Sequence, residues 1–507
     1  MGIKWRNRAL PVVALALLAT GCDSASSDRA EPTVAPSKSA ARSVARVCAN
    51  PAAGPAKAPA GAVKVDPAKV GDLAAKTKSS PPNTTFWLRG GKHRLDPDRY
   101  AQVIPKKGNR YIGAPGAVLD GRKKNAYAFS GKAPDVTISY LTVQRFVSPP
   151  DEGVVNHESA DGWVIEHATI QRNSGAGLMA GAHQRVRANC LRDNGQYGMN
   201  AYKAGNSIRG LVVEDNEIVG NNTGDWERRK PGCGCTGGIK FWAVDGAEIR
   251  GNWVHDNRGT GLWADTNNND FRIEKNVIEA NDGAALIYEI SYNAVIRDNT
   301  IRRNNWVQGR RSADRDDDFP YAAVYVSEAG GEPRVEARTD KIEIYRNVLE
   351  NNWNGITLWE NADRFCHSPA NTSSGDCTLL VKDKDRCAKP TIAKAPLKAD
   401  CRWKTQRVDI HDNRFVLDKS VVKCTERCDR MAVLANYGTY PDWSPYKGEG
   451  VAEAITFKQH NRWHDNVYLG AWKFVAHDPS RVLDSGQWQR APYEQDADST
   501  FSPRAGG

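Results

Sequence analysis

The unit I/V-x-x-N-x-I/V-x-x-N recurs along the chain and narrows the folds open to it. It is written "VEDNEIVGN" around Asn216, "IRGNWVHDN" around Asn252, "IEKNVIEAN" around Asn276, "IRDNTIRRN" around Asn299 and "IYRNVLENN" around Asn347. Weaker copies are "VRANCLRDN" around Asn189 and "IEHATIQRN". The step is 24 residues from Asn252 to Asn276 and 23 from Asn276 to Asn299. It lengthens to 36 before Asn252 and to 48 after Asn299, which insertions or an extra turn explain. Short apolar–polar alternation, Asn and Gly at the corners and no helical pattern together predict a parallel β-solenoid. Each coil would hold about three short strands and stack on the next at about 4.8 Å. Leucine-rich repeats share the period, but their Leu pattern is absent. Stacked amides bond from coil to coil, and Asn tolerates left-handed backbone angles. Asn252, Asn276 and Asn299 therefore read as scaffold.

These coils, with a short helix in "DPAKVGDLAAKTKSS" before "TTFWLRGGKHRL", resemble the right-handed parallel β-helix, or pectin-lyase-like, superfamily over residues 63–480. The resemblance implies an all-β fold, a single-stranded right-handed parallel β-helix with an N-terminal capping helix and long loop insertions. It does not imply one reaction, because the fold hosts lyases, hydrolases, esterases, epimerases and adhesins. The polygalacturonase-type series "NTD … DD … GHG … RIK" and the "DPH" signature of alginate epimerases are both absent.

The ends read differently. "MGIKWRNR" is a basic n-region, "ALPVVALALLAT" a short apolar core, and "LLATGC" resembles a lipobox ending at Cys22. Residues 1–22 are thus expected to be a lipoprotein signal with Cys22 lipidated, a plain secretion signal being the alternative. No other stretch reads as a membrane span. Residues 23–62 are rich in Ala, Pro and Ser and read as a disordered tether. Residues 481–507 read as an extension packing on the solenoid. Export places the ten remaining cysteines in an oxidising compartment, where an even number suggests disulfides. Cys366/Cys377, Cys387/Cys401 and Cys424/Cys428 are plausible local pairs. "GCGC" at Cys233 and Cys235 reads as disulfide rather than zinc, since no second close-spaced pair accompanies it. With 70 Lys and Arg against 60 Asp and Glu, the chain fits an anionic polymer or simply a solvated basic surface. No run of six like charges and no aromatic–basic motif points to nucleic acid.

The strands after the Asn–Gly corners align as "GLMAG", "GMNAY", "GIKFW", "GLWAD", "ALIYE", "AVYVS" and "GITLW". Their second and fourth residues are apolar and form the core face. Alternation sends the third and fifth outward. Those columns hold Asn200, Lys240, Trp263 and Tyr325, then Tyr202, Trp242, Asp265, Glu289 and Trp359, with His157 of "GVVNHE" expected one or more coils earlier. Exposed indoles along a polar face suit the apolar face of a sugar ring. The alternative is that inserts at 221–236, 305–320 and 361–405 cover the aromatics as a satellite core.

Asp265 and Glu289 fall in one column on consecutive coils. Two acids so close raise each other's pKa, so one donates a proton while the other acts as base or nucleophile. A separation near 5 Å is that of retaining glycosidases. The same pair could instead bind Ca²⁺, with Lys240 as the base of a β-elimination on a uronate, or pair with neighbouring cations. His255 reads as structural, and "ADRDDDFP" with Asp314, Asp316, Asp317 and Asp318 as an exposed acidic loop lacking EF-hand spacing. The expectation is a monomeric extracellular protein, lipid-anchored or secreted. It would bind a polysaccharide on Asn200, Tyr202, Trp242, Trp263, Tyr325, Trp359 and His157 and cleave it at Lys240, Asp265 and Glu289. Hydrolysis is preferred. The alternatives are Ca²⁺-dependent elimination and a non-catalytic module binding glycan or cell wall.

Overall fold

The computed structural model describes residues 44–504 apart from residue 45 and residues 204–207, 232, 236, 331–340, 362–403, 436–452 and 478. Three sheets are wound by one chain. The first has 13 strands, from Val63–Val65 to Arg462–His464. The second has 13, from Gly91–His93 to Thr500–Ser502. The third has 11 and begins at Gly153–Val155. Neighbouring strands are parallel, one coil on the next, except that Val482–Leu483 turns back antiparallel on Lys473–His477.

The repeat's apolar residues fill the interior in register. Ile249, Ile273, Ile296, Ile344 and Ile410 stack in the first sheet, and Ile218, Val254, Ile278, Ile301 and Leu349 in the second. Each is at most 1% exposed. Burying one such side chain contributes about 1.5–3 kcal/mol, so every coil stabilises its neighbours.

Both asparagines of the repeat form ladders, where the sequence suggested one corner. Asn189, Asn216, Asn252, Asn276, Asn299, Asn347, Asn413 and Asn466 make the first. Each Nδ2 donates to the next Oδ1 at 2.9–3.1 Å. Asn173, Asn194, Asn221, Asn257, Asn281, Asn304 and Asn352 make the second in the same way. The left-handed backbone sits on the residue before the asparagine, at Asp215, Lys275, Asp298, Arg346 and Asp412. Asparagine is therefore required for its amide, not for its φ. Asn216 bonds Asn252 directly and Asn299 bonds Asn347 directly, so the long steps are single coils carrying inserts.

The predicted helix is Asp72–Ser79. It buries Leu73, which joins the main core, and Thr77, whose hydroxyl accepts from Tyr111. At the other end Trp488, on the helix Ser485–Gln489, is buried against Trp463 and Phe474. Thr500–Ser502 then adds the last strand of the second sheet, so the fold extends past residue 480.

The expected tether ends earlier than residue 62. Cys48 is disulfide-bonded to Cys190, its N–H donates to Glu217 at 2.8 Å, and Pro55 accepts from the Trp87 indole. A covalent bond and docked backbone override a composition that cannot build its own core. Cys233 bonds Cys235 and Cys424 bonds Cys428. Cys22 and the pairs Cys366/Cys377 and Cys387/Cys401 lie outside the described residues. No helix among the described residues is long and apolar enough to cross a membrane.

Candidate functional site

The third sheet pairs in the register that the sequence alignment predicts. Asn200, Lys240, Trp263, Ile287, Tyr325 and Thr357 form one column. Ala201, Phe241, Ala264, Tyr288, Val326 and Leu358 form the inward one, each at most 1% exposed. Glu289, Ser327 and Trp359 share the next register. Asp265 follows Ala264, the partner of Tyr288, and stands in the Glu289 column one coil earlier.

Two inserts wall part of this face. One carries the helix Trp226–Arg229 and the Cys233–Cys235 disulfide, the other the helix Trp306–Ala313. Between them lies a cleft of about 680 Å³. Lys240, Trp242, Trp263, Asp265, Ile287 and Glu289 come from the sheet, and Glu227, Gln308, Arg311 and Tyr321 from the inserts. An adjoining lobe of about 490 Å³ shares Lys240 and Trp242 and adds Asn200 and Tyr202.

Lys240 is the hub. Its Nζ lies 2.9 Å from Asp265 Oδ2, sits 4.5 Å from the Trp263 ring centroid and donates to the Gly234 carbonyl. The two side chains are only 14% and 13% exposed. Asp265 also accepts from Thr266 Oγ1 at 3.0 Å. The glycine of "GCGC" has a local reason. At φ 56°, a Cβ on Gly234 would press to 3.1 Å from the Trp263 ring, so glycine lets the disulfide loop lie close against it. A divalent cation bridging Asp265 and Glu289 would have to displace the Lys240 ammonium. Among the described residues no three His, Cys, Asp or Glu side chains gather to hold a metal ion.

Other predicted residues are placed elsewhere. Asn200 is buried and donates to the Asp151 carbonyl at 2.9 Å, and Tyr202 is 47% exposed at the rim of the second lobe. Tyr325 and Trp359 line neither lobe. Phe319, from the second insert, packs edge-on to Trp359 at 4.9 Å and against Tyr325 at 6.3 Å, a satellite core. Thr357 donates to the Pro320 carbonyl beneath the same segment. His157 is not in the fifth column, because the pairing of Val155 with Leu178 leaves it one register short. It stacks on Tyr127 at 3.7 Å, beside Glu152. Glu328 and Glu360 are buried and hold Asn361, Thr405 and Gln459. His255 lies on the second sheet, between Glu217 and Asp256. The acidic loop is a latch, with Asp316 and Asp318 paired to Arg427.

One acid in the cleft escaped the sequence reading. Asp282 lines it from the corner before the strand Leu286–Glu289, and burial pushes its carboxyl above the ordinary aspartate value against the opposing pull of Arg311 and Arg258. Its place in "NDG", directly after the ladder residue Asn281, looks like a turn signal. The corresponding positions one and two coils earlier are Arg258 and Asn222, so no column of acids marks it. Deep in the second lobe, burial first, and then Asp151 and Asp265, hold the Tyr197 hydroxyl well above its usual value.

Residues 152–365 match the family described as "Right handed beta helix region". No curated protein matches the chain. Among solved structures, the chain is similar to the A-module of the Azotobacter vinelandii mannuronan C-5 epimerase AlgE6. Identity is 12% with a TM-score of 0.49, covering 88% of this chain and 95% of that one. The A-module of AlgE4 from the same organism matches at 12% identity and TM-score 0.44, covering 70% and 92%. The catalytic unit of a GH87 alpha-1,3-glucanase from Streptomyces thermodiastaticus matches at 12% and 0.41, covering 84% and 69%. The family match over residues 152–365 and the three-sheet solenoid with its interior ladders together show the right-handed parallel β-helix fold.

Proposed function

We propose that the chain is an exported carbohydrate-active enzyme that binds a polysaccharide across the two lobes and hydrolyses it in the cleft. One observation carries this reading: Asp265, Asp282 and Glu289 line the same cleft as Trp242 and Trp263. Indole faces suit sugar rings, and the carboxyls supply acid–base chemistry at the bond they flank. In this scheme Asp282, whose carboxyl burial pushes above the ordinary aspartate value, protonates the leaving oxygen. Glu289 acts on the anomeric carbon as nucleophile or through water. Asp265, with Lys240, orients the sugar hydroxyls. The disulfide between Cys48 and Cys190 supports an oxidising, extracellular setting, with Cys22 as the lipid attachment point.

The Lys240–Asp265 ion pair favours a second reading, a module that binds glycan without cutting it, since two of the expected catalytic groups are engaged with each other. The test is product release from neutral and uronate polysaccharides, with and without Ca²⁺, for wild type, Glu289→Gln and Asp282→Asn. Reducing ends without unsaturated-uronate absorbance, lost in both variants, are expected. Absorbance that depends on Ca²⁺ would shift the reading to elimination with Lys240 as base. Tight binding with no product from any polymer would leave the binding module.

A further inference from the structure

The positive charge of this chain is not spread along it. Residues 44–132 carry 17 Lys and Arg against 5 Asp and Glu, whereas residues 133–507 carry 47 against 52. The whole excess over the solenoid therefore sits on the N-terminal cap and the first coils. Few of these cations are neutralised. Among the described residues, the ion pairs made by the acids of this region are Lys76 with Asp72 and Arg145 with Asp120. Lys57, Lys64, Lys69 and Arg89 are exposed around a shallow depression of about 920 Å³, floored by Trp87.

The same end also exposes large apolar side chains. Val70 is 51% exposed, Tyr100 64% and Ile104 60%. Val70 follows Lys69. Tyr100 and Ile104 lie on the loop 94–109, which is bonded to both ends of the capping helix. Gly71 N–H donates to the Arg94 carbonyl at 2.8 Å, and Lys106 Nζ to the Lys78 carbonyl at 2.9 Å. The apolar tips are thus held at this end of the solenoid with cations next to each: Lys69 precedes Val70, the Arg99 guanidinium lies 5.9 Å from the Tyr100 ring centroid, and Lys106 and Lys107 follow Ile104. Cations alone would suit any polyanion. Cations interleaved with exposed Tyr, Ile and Val suit a surface with both an anionic layer and an apolar interior.

We propose that the N-terminal cap is a docking surface for an anionic lipid bilayer, with Lys57, Lys64, Lys69 and Arg89 on the headgroups and Val70, Tyr100 and Ile104 entering the interface. The surface is separate from the cleft, and it holds whether or not the cleft cuts a polymer.

The test uses the full chain carrying Cys22→Ala, so that no acyl chain contributes. It is sedimented with vesicles of phosphatidylcholine alone and of phosphatidylcholine mixed with phosphatidylglycerol. Binding is expected only to the anionic vesicles and should weaken as salt rises. Neutralising one cation is expected to lower partitioning about five-fold, and Lys57→Gln/Lys64→Gln/Lys69→Gln/Arg89→Gln by roughly two orders of magnitude or more. Tyr100→Ser/Ile104→Ser is expected to lower vesicle binding at least several-fold while leaving retention on a heparin column unchanged. All six side chains are exposed, and an unchanged melting temperature confirms folding. No binding to anionic vesicles overturns the proposal. So does vesicle binding indifferent to Tyr100→Ser/Ile104→Ser, which would make the cap a site for soluble polyanions.

Discussion

Consider removing Lys240. Lys240→Met keeps the length of the side chain and deletes its charge. The structure shows three losses: the 2.9 Å ion pair with Asp265, the bond to the Gly234 carbonyl and the ammonium over Trp263 at 4.5 Å. An ion pair this buried costs about 3–5 kcal/mol to break from one side. The cleft is open to water on one face, which reduces that to about 2 kcal/mol. The carbonyl bond and the cation–π contact add about 1 kcal/mol each at most. Lys240→Met is therefore expected to destabilise by about 3 kcal/mol. Asp265→Asn keeps an acceptor for Thr266 and costs less, about 2 kcal/mol. The double variant leaves no buried charge at the site and should cost less than the sum by about 1.5 kcal/mol. Urea unfolding of the four proteins, with unchanged m-values, reads the cycle. Additivity within about 0.5 kcal/mol would refute the reasoning, because the two groups would then act independently and the pair would be a surface contact.

Asn276→Ala removes four ladder bonds, two from its Nδ2 to the Ile249 carbonyl and Asn299 and two from Asn252 to its Oδ1. At about 1 kcal/mol each, a loss on the order of 4 kcal/mol is expected in chemical denaturation. Burial lowers the His255 pKa, but the bonds to Glu217 and Asp256 outweigh it and leave it above the ordinary value. Its contribution is then fully present below the unfolded pKa of about 6.5 and is lost as pH rises through the folded value. The stability gap between wild type and His255→Gln should therefore be largest at about pH 5.5 and shrink towards about pH 8.5 in parallel urea melts. If Asp282 donates the proton, the wild-type kcat/KM falls as pH rises through its raised pKa, and a pH–rate profile with no alkaline limb would remove Asp282 from that role.

The solenoid was legible because its signal repeats. Period, alternation and corner asparagines each recur coil after coil, and the register of Lys240, Trp263, Ile287 and Tyr325 follows from alternation alone. What failed to show are the contacts made by segments that do not repeat. Phe319 covers Tyr325 and Trp359 from an insert with no counterpart in other coils. Asp282 enters the cleft from a corner whose equivalents are not acidic. Cys48 reaches Cys190 across 142 residues, a pairing that spacing cannot single out. His157 misses the fifth column because Val155, rather than Val154, pairs with Leu178, which shifts this strand by one residue against the sequence alignment.

The Cys48–Cys190 bond also decides where mechanical load enters this protein. A stack whose coils touch only their neighbours peels from its end, one coil at a time, when the end is pulled. Tension arriving through the chain before residue 48 does not reach Val63. It passes through sulfur into Cys190, on the fifth strand of the second sheet, paired with Thr169 on one side and Glu217 on the other. The coils within the 142-residue loop carry no force, and the pull must shear a strand held on both edges rather than unzip a free one. A protein held from its N-terminal side in flowing liquid or against a growing wall would thus keep its cap and its first coils intact for as long as that one covalent bond remains closed.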